Sequence, residues 1–160
     1  MGIAEYLAGT DVFLNLGATT KRGVLQMLAA EAGKRLDRPA SEILQALQAR
    51  EDLGSTALGR GVALPHAQVE GDPHPVALFA RLSRPVDYEA RDDEPVDLVI
   101  LVLWPRESPE GFLPTLAETC RVLRESQVLR RLRSAQTPDE VIALLSGPPT
   151  SDDGMSPEAT

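Results

Sequence analysis

The sequence predicts an α/β domain in which helices cover a mixed sheet around a single core. Three observations point there. Apolar runs of strand length fall near residues 12–16, 62–66, 75–82 and 96–103, between segments with helical periodicity. Some of these runs are joined by short turns and others by helices, the pattern of a mixed sheet. The length of 160 residues suits one domain. Aromatic residues make up only 4% of the chain, so Leu, Val, Ala and Ile must fill the interior.

VFLNL, residues 12–16, reads as the first strand. Residues 20–36, TKRGVLQMLAAEAGKRL, set Val24, Leu25, Leu28, Ala29, Ala32 and Leu36 on one helical stripe, with Lys and Arg toward the C-terminal end and Pro39 expected to end the helix. Residues 41–50, SEILQALQAR, predict a second helix with Ser41 as N-cap and Ile43, Leu44 and Leu47 on its inner face. REDLGSTALGRG is turn chemistry, and VALPH follows as a short strand stopped by Pro65.

PVALFARL, residues 75–82, is a strand, with a short edge strand expected near Val86–Tyr88. Glu89, Arg91, Asp92, Asp93 and Glu94 read as a solvated turn. The continuous apolar run VDLVILVL, residues 96–103, predicts a strand buried on both faces, with Trp104 behind it as a packing residue. Residues 112–124 predict a helix with a Phe112, Leu116, Ala117, Cys120, Leu123 stripe and a buried Cys120 thiol. Pro114 is expected in its first turn, where the missing N–H is harmless.

SQVLRRLRSA and TPDEVIALL predict two further helices, capped by Ser126 and Thr137, the second with Pro138 at its first position. Arg121, Arg124, Arg130, Arg131 and Arg133 form either a docking patch for an acidic partner or a solvated face. Residues 147–160 hold only Met155 and Ala159 as apolar side chains. They cannot offset their ordering entropy, so a disordered tail is expected after a domain of residues 1–146.

The formal net charge is −8, which argues against nucleic acid as a partner, since phosphates require a basic face. Cys120 is the only cysteine, so no internal disulfide can form. Two histidines and one cysteine are too few for a structural zinc site, and no metal or cofactor is expected. The N-terminus lacks a signal peptide's basic start and apolar run, and no segment has the apolar length to span a membrane. A cytoplasmic protein without membrane insertion is the expectation.

Function centres on GRGVALPHAQ, residues 59–68. His66 follows Pro65, whose ring restrains the backbone just ahead of the imidazole. Gly59 and Gly61 let the chain pass close to another group. Arg50 ends the preceding helix, and Ser55 and Thr56 offer hydroxyls from the intervening loop. An Arg fork and hydroxyls around one imidazole make an anion site. A neutral imidazole beside such a site is what a phosphoryl acceptor requires. His74, in EGDPHP, reads instead as an exposed turn residue. GRGVALP lacks the Gly-Lys-Ser/Thr ending of a nucleotide-binding P-loop and leads into a strand.

The ordered set Arg50, Glu51, Gly54, Ser55, Thr56, Gly59, Gly61, Ala63, Pro65 and His66 resembles the active-site segment of phosphotransferase-system IIA domains of the mannitol/fructose-type superfamily. Within it the chain is most similar to the nitrogen-regulatory IIA proteins. The likeness continues through EPVDLVILVLWP and RRLRSAQTPDEV, covering roughly residues 5–146.

It implies a mixed sheet of about five strands with helices on both faces. It also implies that His66 receives a phosphoryl group from a small histidine-phosphorylated carrier protein and that Arg50 orients and neutralises that group. The chain would then be a phosphotransfer component rather than a conventional small-molecule enzyme, with regulatory target proteins as further partners. Family members often carry a second histidine where Phe112 stands here. Phe112 keeps open a non-catalytic interaction module with weakened phosphorylation beside the regulatory phosphoprotein, and a sugar-specific IIA transport component is a further alternative, since the sequence does not give the downstream partner.

Overall fold

A computed structural model describes residues 2–71 and 74–147. After two 3-10 turns, strand β1 (Val12–Leu16) leads to helices α1 (Lys21–Leu36) and α2 (Ala40–Glu51). Strands β2 (Ala57–Gly59), β3 (Val62–Ala63), β4 (His66–Val69), β5 (Val76–Val86) and β6 (Val96–Pro105) follow, then helices α3 (Phe112–Leu123), α4 (Ser126–Ser134) and α5 (Pro138–Leu145). Of the expected tail, only Gly147 belongs to the described residues.

The sheet is mixed, in the order β1-β5-β6-β3-β2, with β4 also on β6. β5 and β6 pair antiparallel at its centre. β1 runs parallel to β5, and β3 and β4 run parallel to β6. As expected, β6 is buried on both faces, with Asp97 alone half-exposed. Its alternation divides the interior in two. Val99, Leu101 and Leu103 join Val24, Leu28, Ile43 and Leu47 under α1 and α2. Leu98, Ile100, Val102 and Trp104 join Phe112, Leu123, Leu132 and Val141 under α3, α4 and α5. Each fully buried Leu or Ile contributes roughly 1.5–3 kcal/mol, so these two layers hold the helices on opposite faces.

Several boundaries differ from the sequence reading. α1 ends at Leu36 as read, but what stops it is Asp37, whose left-handed backbone (φ 55°) breaks the helix, and not Pro39. α2 begins at Ala40 behind Pro39, so Ser41 lies inside the helix and is not its cap. Ser126 likewise is the first residue of α4, whose cap position is Glu125. Thr137 does cap α5, its hydroxyl accepting from Glu140 N–H at 3.2 Å, with Pro138 at the first position. No separate edge strand forms at 86–88: β5 runs on through an irregularity to Val86, which pairs with Val96, and Tyr88 is buried beyond it.

α3 carries Pro114 in its first turn but is rotated from the expected stripe. Thr115 and Thr119 are buried, Ala117 is exposed and Cys120 is only half-buried. The Thr119 hydroxyl donates to Thr115 C=O at 2.7 Å, which satisfies it inside an apolar layer.

The expected VALPH strand is the correction that bears on function. β3 stops at Ala63, Leu64 and Pro65 stand outside the ladder, and a new strand starts at His66. The register on β6 does not slip: Val62 faces Leu98, Ala63 faces Val99 and His66 faces Val102. β3 and β4 are therefore one strand line with a two-residue break. Pro65, with no N–H to give, sits in the break and still accepts Val102 N–H at 3.0 Å.

Candidate functional site

His66 opens β4, which has no strand on its outer side among the described residues. Its Nδ1 lies 2.8 Å from Leu64 C=O. A carbonyl only accepts, so Nδ1 carries the hydrogen and the neutral ring keeps a lone pair on Nε2. The strand break makes this contact, since Leu64 and His66 flank Pro65. Arg50, in the last turn of α2, reaches that same nitrogen: its Nε–H donates to Nε2 at 3.3 Å. Nη1 donates to Gly54 C=O at 2.9 Å, which braces the guanidinium against the loop. Burial holds the His66 pKa below the usual imidazole value; the Leu64 hydrogen bond opposes this, the Arg50 charge adds to it and the Glu51 charge opposes it. The result is an unprotonated, partly desolvated nitrogen aimed at a cation.

The expected hydroxyl donors are engaged elsewhere. Ser55 Oγ donates to Tyr88 C=O at 3.1 Å and accepts from Ala57 N–H at 3.2 Å. Thr56 is buried, its hydroxyl donating to Glu51 Oε2 and its N–H to Glu51 Oε1 at 3.1 Å. Glu51 is the centre of this loop. Lys21 Nζ pairs with its Oε1 at 3.0 Å and lies 4.6 Å from the Tyr88 ring centroid, while Tyr88 OH donates to Oε2 at 3.5 Å. Burial first, and then the Glu51 charge, push the Tyr88 phenol pKa well up. The loop is thus tied to the helix end that carries Arg50.

Gly59 and Gly61 serve the β2–β3 turn and do not line the His66 site. Both have left-handed backbones (φ 93° and 81°). A Cβ on Gly61 would stand 2.6 Å from Arg133 Nη2 and 3.0 Å from Asp97 Oδ1. The close group anticipated is that ion pair for Gly61, Arg133 to Asp97 at 2.9 Å, and the Asp92 carboxylate for Gly59, 3.3 Å from where a Cβ would stand. The other arginines of the α3–α4 cluster are exposed. His74 is exposed as well, as expected, and does not line the depression at His66.

Phe112 does face His66. Their ring centroids are 6.1 Å apart at a 60° tilt, and Phe112 is buried. Trp104 holds it in place with its centroid 5.8 Å from that of Phe112. The Trp104 Nε1–H donates to Ser108 C=O at 3.1 Å and Glu110 C=O at 3.2 Å, fixing the loop that delivers α3. Gly111, at the helix start, has φ 90°, and a Cβ there would stand 3.0 Å from the indole.

His66, Arg50 and Phe112 line one open depression of about 440 Å³, together with Leu53, Gln68 and Arg106. Arg106 escaped the sequence reading. Its only signal was its place directly after the long central strand. No group of three or more His, Cys, Asp or Glu among the described residues is arranged to hold a metal ion.

A lone-pair nitrogen, an arginine fork and an open, partly apolar bowl are thus brought together on a mixed α/β sandwich. Comparison with known families identifies that sandwich. Residues 5–147 match the family described as "Phosphoenolpyruvate-dependent sugar phosphotransferase system, EIIA 2", and the chain belongs to it. A nitrogen regulatory protein of Bradyrhizobium diazoefficiens is 35% identical over 151 residues, covering 94% of this chain and 99% of the relative. That of Escherichia coli is 33% identical over 141 residues, covering 88% and 84%. The crystal structure of nitrogen regulatory protein IIA-Ntr from Neisseria meningitidis superposes with a TM-score of 0.86 at 27% identity, covering 89% of this chain and 98% of the other.

Proposed function

We propose that the chain is a phosphoryl-accepting regulatory protein of a nitrogen-type phosphotransferase system, working in the cytoplasm. His66 Nε2 takes the phosphoryl group from a histidine-phosphorylated carrier protein. The observation that carries this reading is the hydrogen-bond pair at His66: Leu64 keeps the proton on Nδ1 and Arg50 waits at Nε2.

Arg50 Nε–H lets go of Nε2, whose lone pair attacks phosphorus; the N–P bond of the carrier breaks, and its electron pair returns to the carrier's imidazole. Nδ1 keeps its hydrogen, and Leu64 C=O supports the positive charge that develops on the ring. Arg50 meets the charge on the transferring oxygens. Phosphorylation would then change how regulatory target proteins recognise this face. Regulation, rather than sugar transport, is supported by the nitrogen regulatory relatives, although the family's description names sugar phosphotransferase systems.

A second reading, an interaction module with weakened phosphorylation, is favoured by one observation: the ring beside His66 is Phe112, which has no donor to offer a phosphoryl oxygen. Incubation with the purified carrier system and phosphoenolpyruvate, followed by mass spectrometry at alkaline pH, separates the two. A single phosphoryl group mapped to His66 and lost in His66→Ala supports the first. An unmodified protein supports the second, and label on His74 overturns the site.

A further inference from the structure

The depression over His66 contains a second cation besides Arg50. Arg106 follows β6 directly, and its N–H donates to Val69 C=O at 2.8 Å, so its backbone is fixed to the end of β4. Its side chain is held loosely. Nη2 reaches Gln68 C=O at 3.5 Å, and Nη1 lies 3.7 Å from Glu70, with the two side chains 58% and 75% exposed. Exposed pairs of this length contribute little, so the guanidinium is free to exchange Glu70 for a better anion. Gln68 stands two residues from His66 along β4, roughly 7 Å of strand. An arginine side chain covers that distance, and Arg106 already lines the same bowl as His66 and Arg50.

Apart from the neutral Gln68 amide in the same bowl, the candidate donors of the neighbourhood are engaged or absent. Ser55 and Thr56 hydroxyls are bound to Tyr88 and Glu51. Phe112 has no donor. Arg50 keeps Nη1–H on Gly54, and only its remaining N–H groups, with Nε–H released as Nε2 attacks, can turn to the phosphoryl oxygens. A phosphoryl group in transfer spreads charge over three equatorial oxygens, and one partly engaged guanidinium cannot meet them all.

We propose that Arg106 is a catalytic residue: it leaves Glu70 and closes on the phosphoryl oxygens from the side opposite Arg50, supplying the contact that Phe112 cannot. This rests on the phosphoryl-acceptor reading of His66. In the step itself the N–P bond to Nε2 forms as the donor's N–P bond breaks with its electron pair returning to the donor nitrogen, and Arg106 only donates hydrogen bonds.

The test measures His66 labelling in wild type, Arg106→Ala and Arg106→Lys with two donors, the phosphorylated carrier protein and phosphoramidate, whose N–P bond breaks to release ammonia. Phosphoramidate has no protein surface, so it separates contact with the phosphoryl group from partner docking. The expected result is an Arg106→Ala rate lower by on the order of tenfold with both donors, with Arg106→Lys recovering part of it and an unchanged melting temperature. A loss seen with the carrier alone makes Arg106 a docking contact and overturns the proposal, as does no loss with either donor. If wild type is labelled at His66 by neither donor, the acceptor reading itself fails and Arg106 has no such role.

Discussion

The Phe112 ring packs with its centroid 6.1 Å from the His66 imidazole, tilted 60° to it and backed by Trp104. This contact sets an apolar ring beside the imidazole and gives it no hydrogen-bond donor. Phe112→His places a donor there. The expected outcome is a faster single-turnover transfer or a longer-lived phosphohistidine, by roughly tenfold for one charge-assisted contact. Equal rates and lifetimes in the two proteins would show that a donor at this position does not reach the transferred group.

Arg50→Ala removes the cation at Nε2 but little else. Its side chain lies at the end of α2 and, among the described residues, hydrogen-bonds to His66 and Gly54. Transfer should slow by about a hundredfold, the size of one electrostatic contact made in the transition state, with the melting temperature nearly unchanged. Rapid-quench labelling and calorimetry on the same preparation check both halves. An unchanged rate removes Arg50 from the mechanism.

Glu51→Ala should do the reverse, acting first on stability. It leaves Lys21, Tyr88 and the Thr56 N–H and hydroxyl without their shared carboxylate in a buried setting. Breaking such a network by removing one member is expected to lose about 3 kcal/mol, a fall of roughly 10 °C in a domain of this size. Thermal unfolding followed by circular dichroism measures it. A fall of less than about 2 °C would show that the network contributes little to folding.

The lowered pKa of His66 has two consequences with one sign. The folded imidazole takes its proton less readily than the unfolded one, whose value is about 6.5. Its contribution to stability is therefore full above that pH and is lost as pH falls through it toward the lower folded value. Urea unfolding between pH 7 and 5 should show a steeper loss for wild type than for His66→Ala. The labelling rate should also hold nearly constant through pH 6.5 and decline only below it, because the nucleophile stays unprotonated. A rate already halved at pH 6.5 contradicts the shift.

The sequence carried the layers of this fold and the heart of its site, for physical reasons that can be stated. The continuous run of β6 and the stripe of α1 read correctly because burial on two faces and on one leaves different periodicities. Arg50 and His66 were legible together because the ordered segment that holds them is long, and Phe112 was joined to them only through the family resemblance. The two-residue break between β3 and β4 was not legible, since Pro65 signals only a stop and gives no hint that the register resumes unchanged. Ser55 and Thr56 were read as donors to the site because nothing local reveals that distant Tyr88 and buried Glu51 claim their hydroxyls. The inner face of α3 was misread for a similar reason. Thr115 and Thr119 are tolerated inside because the Thr119 hydroxyl is satisfied within the helix, a compensation that side-chain hydrophobicity does not show.

The parallel pairing of β4 with β6 also has a consequence in time. Parallel neighbours cannot meet through a tight turn, and here the whole of β5 lies between them in sequence. Closing that long loop comes at an entropic cost that only the finished sheet repays. Arg50, His66, Arg106 and Phe112 stand on separate pieces of chain that this closure joins. A partly folded molecule therefore contains the imidazole but not its surroundings, and phosphoryl uptake on the proposed nitrogen would register only chains whose central sheet is complete.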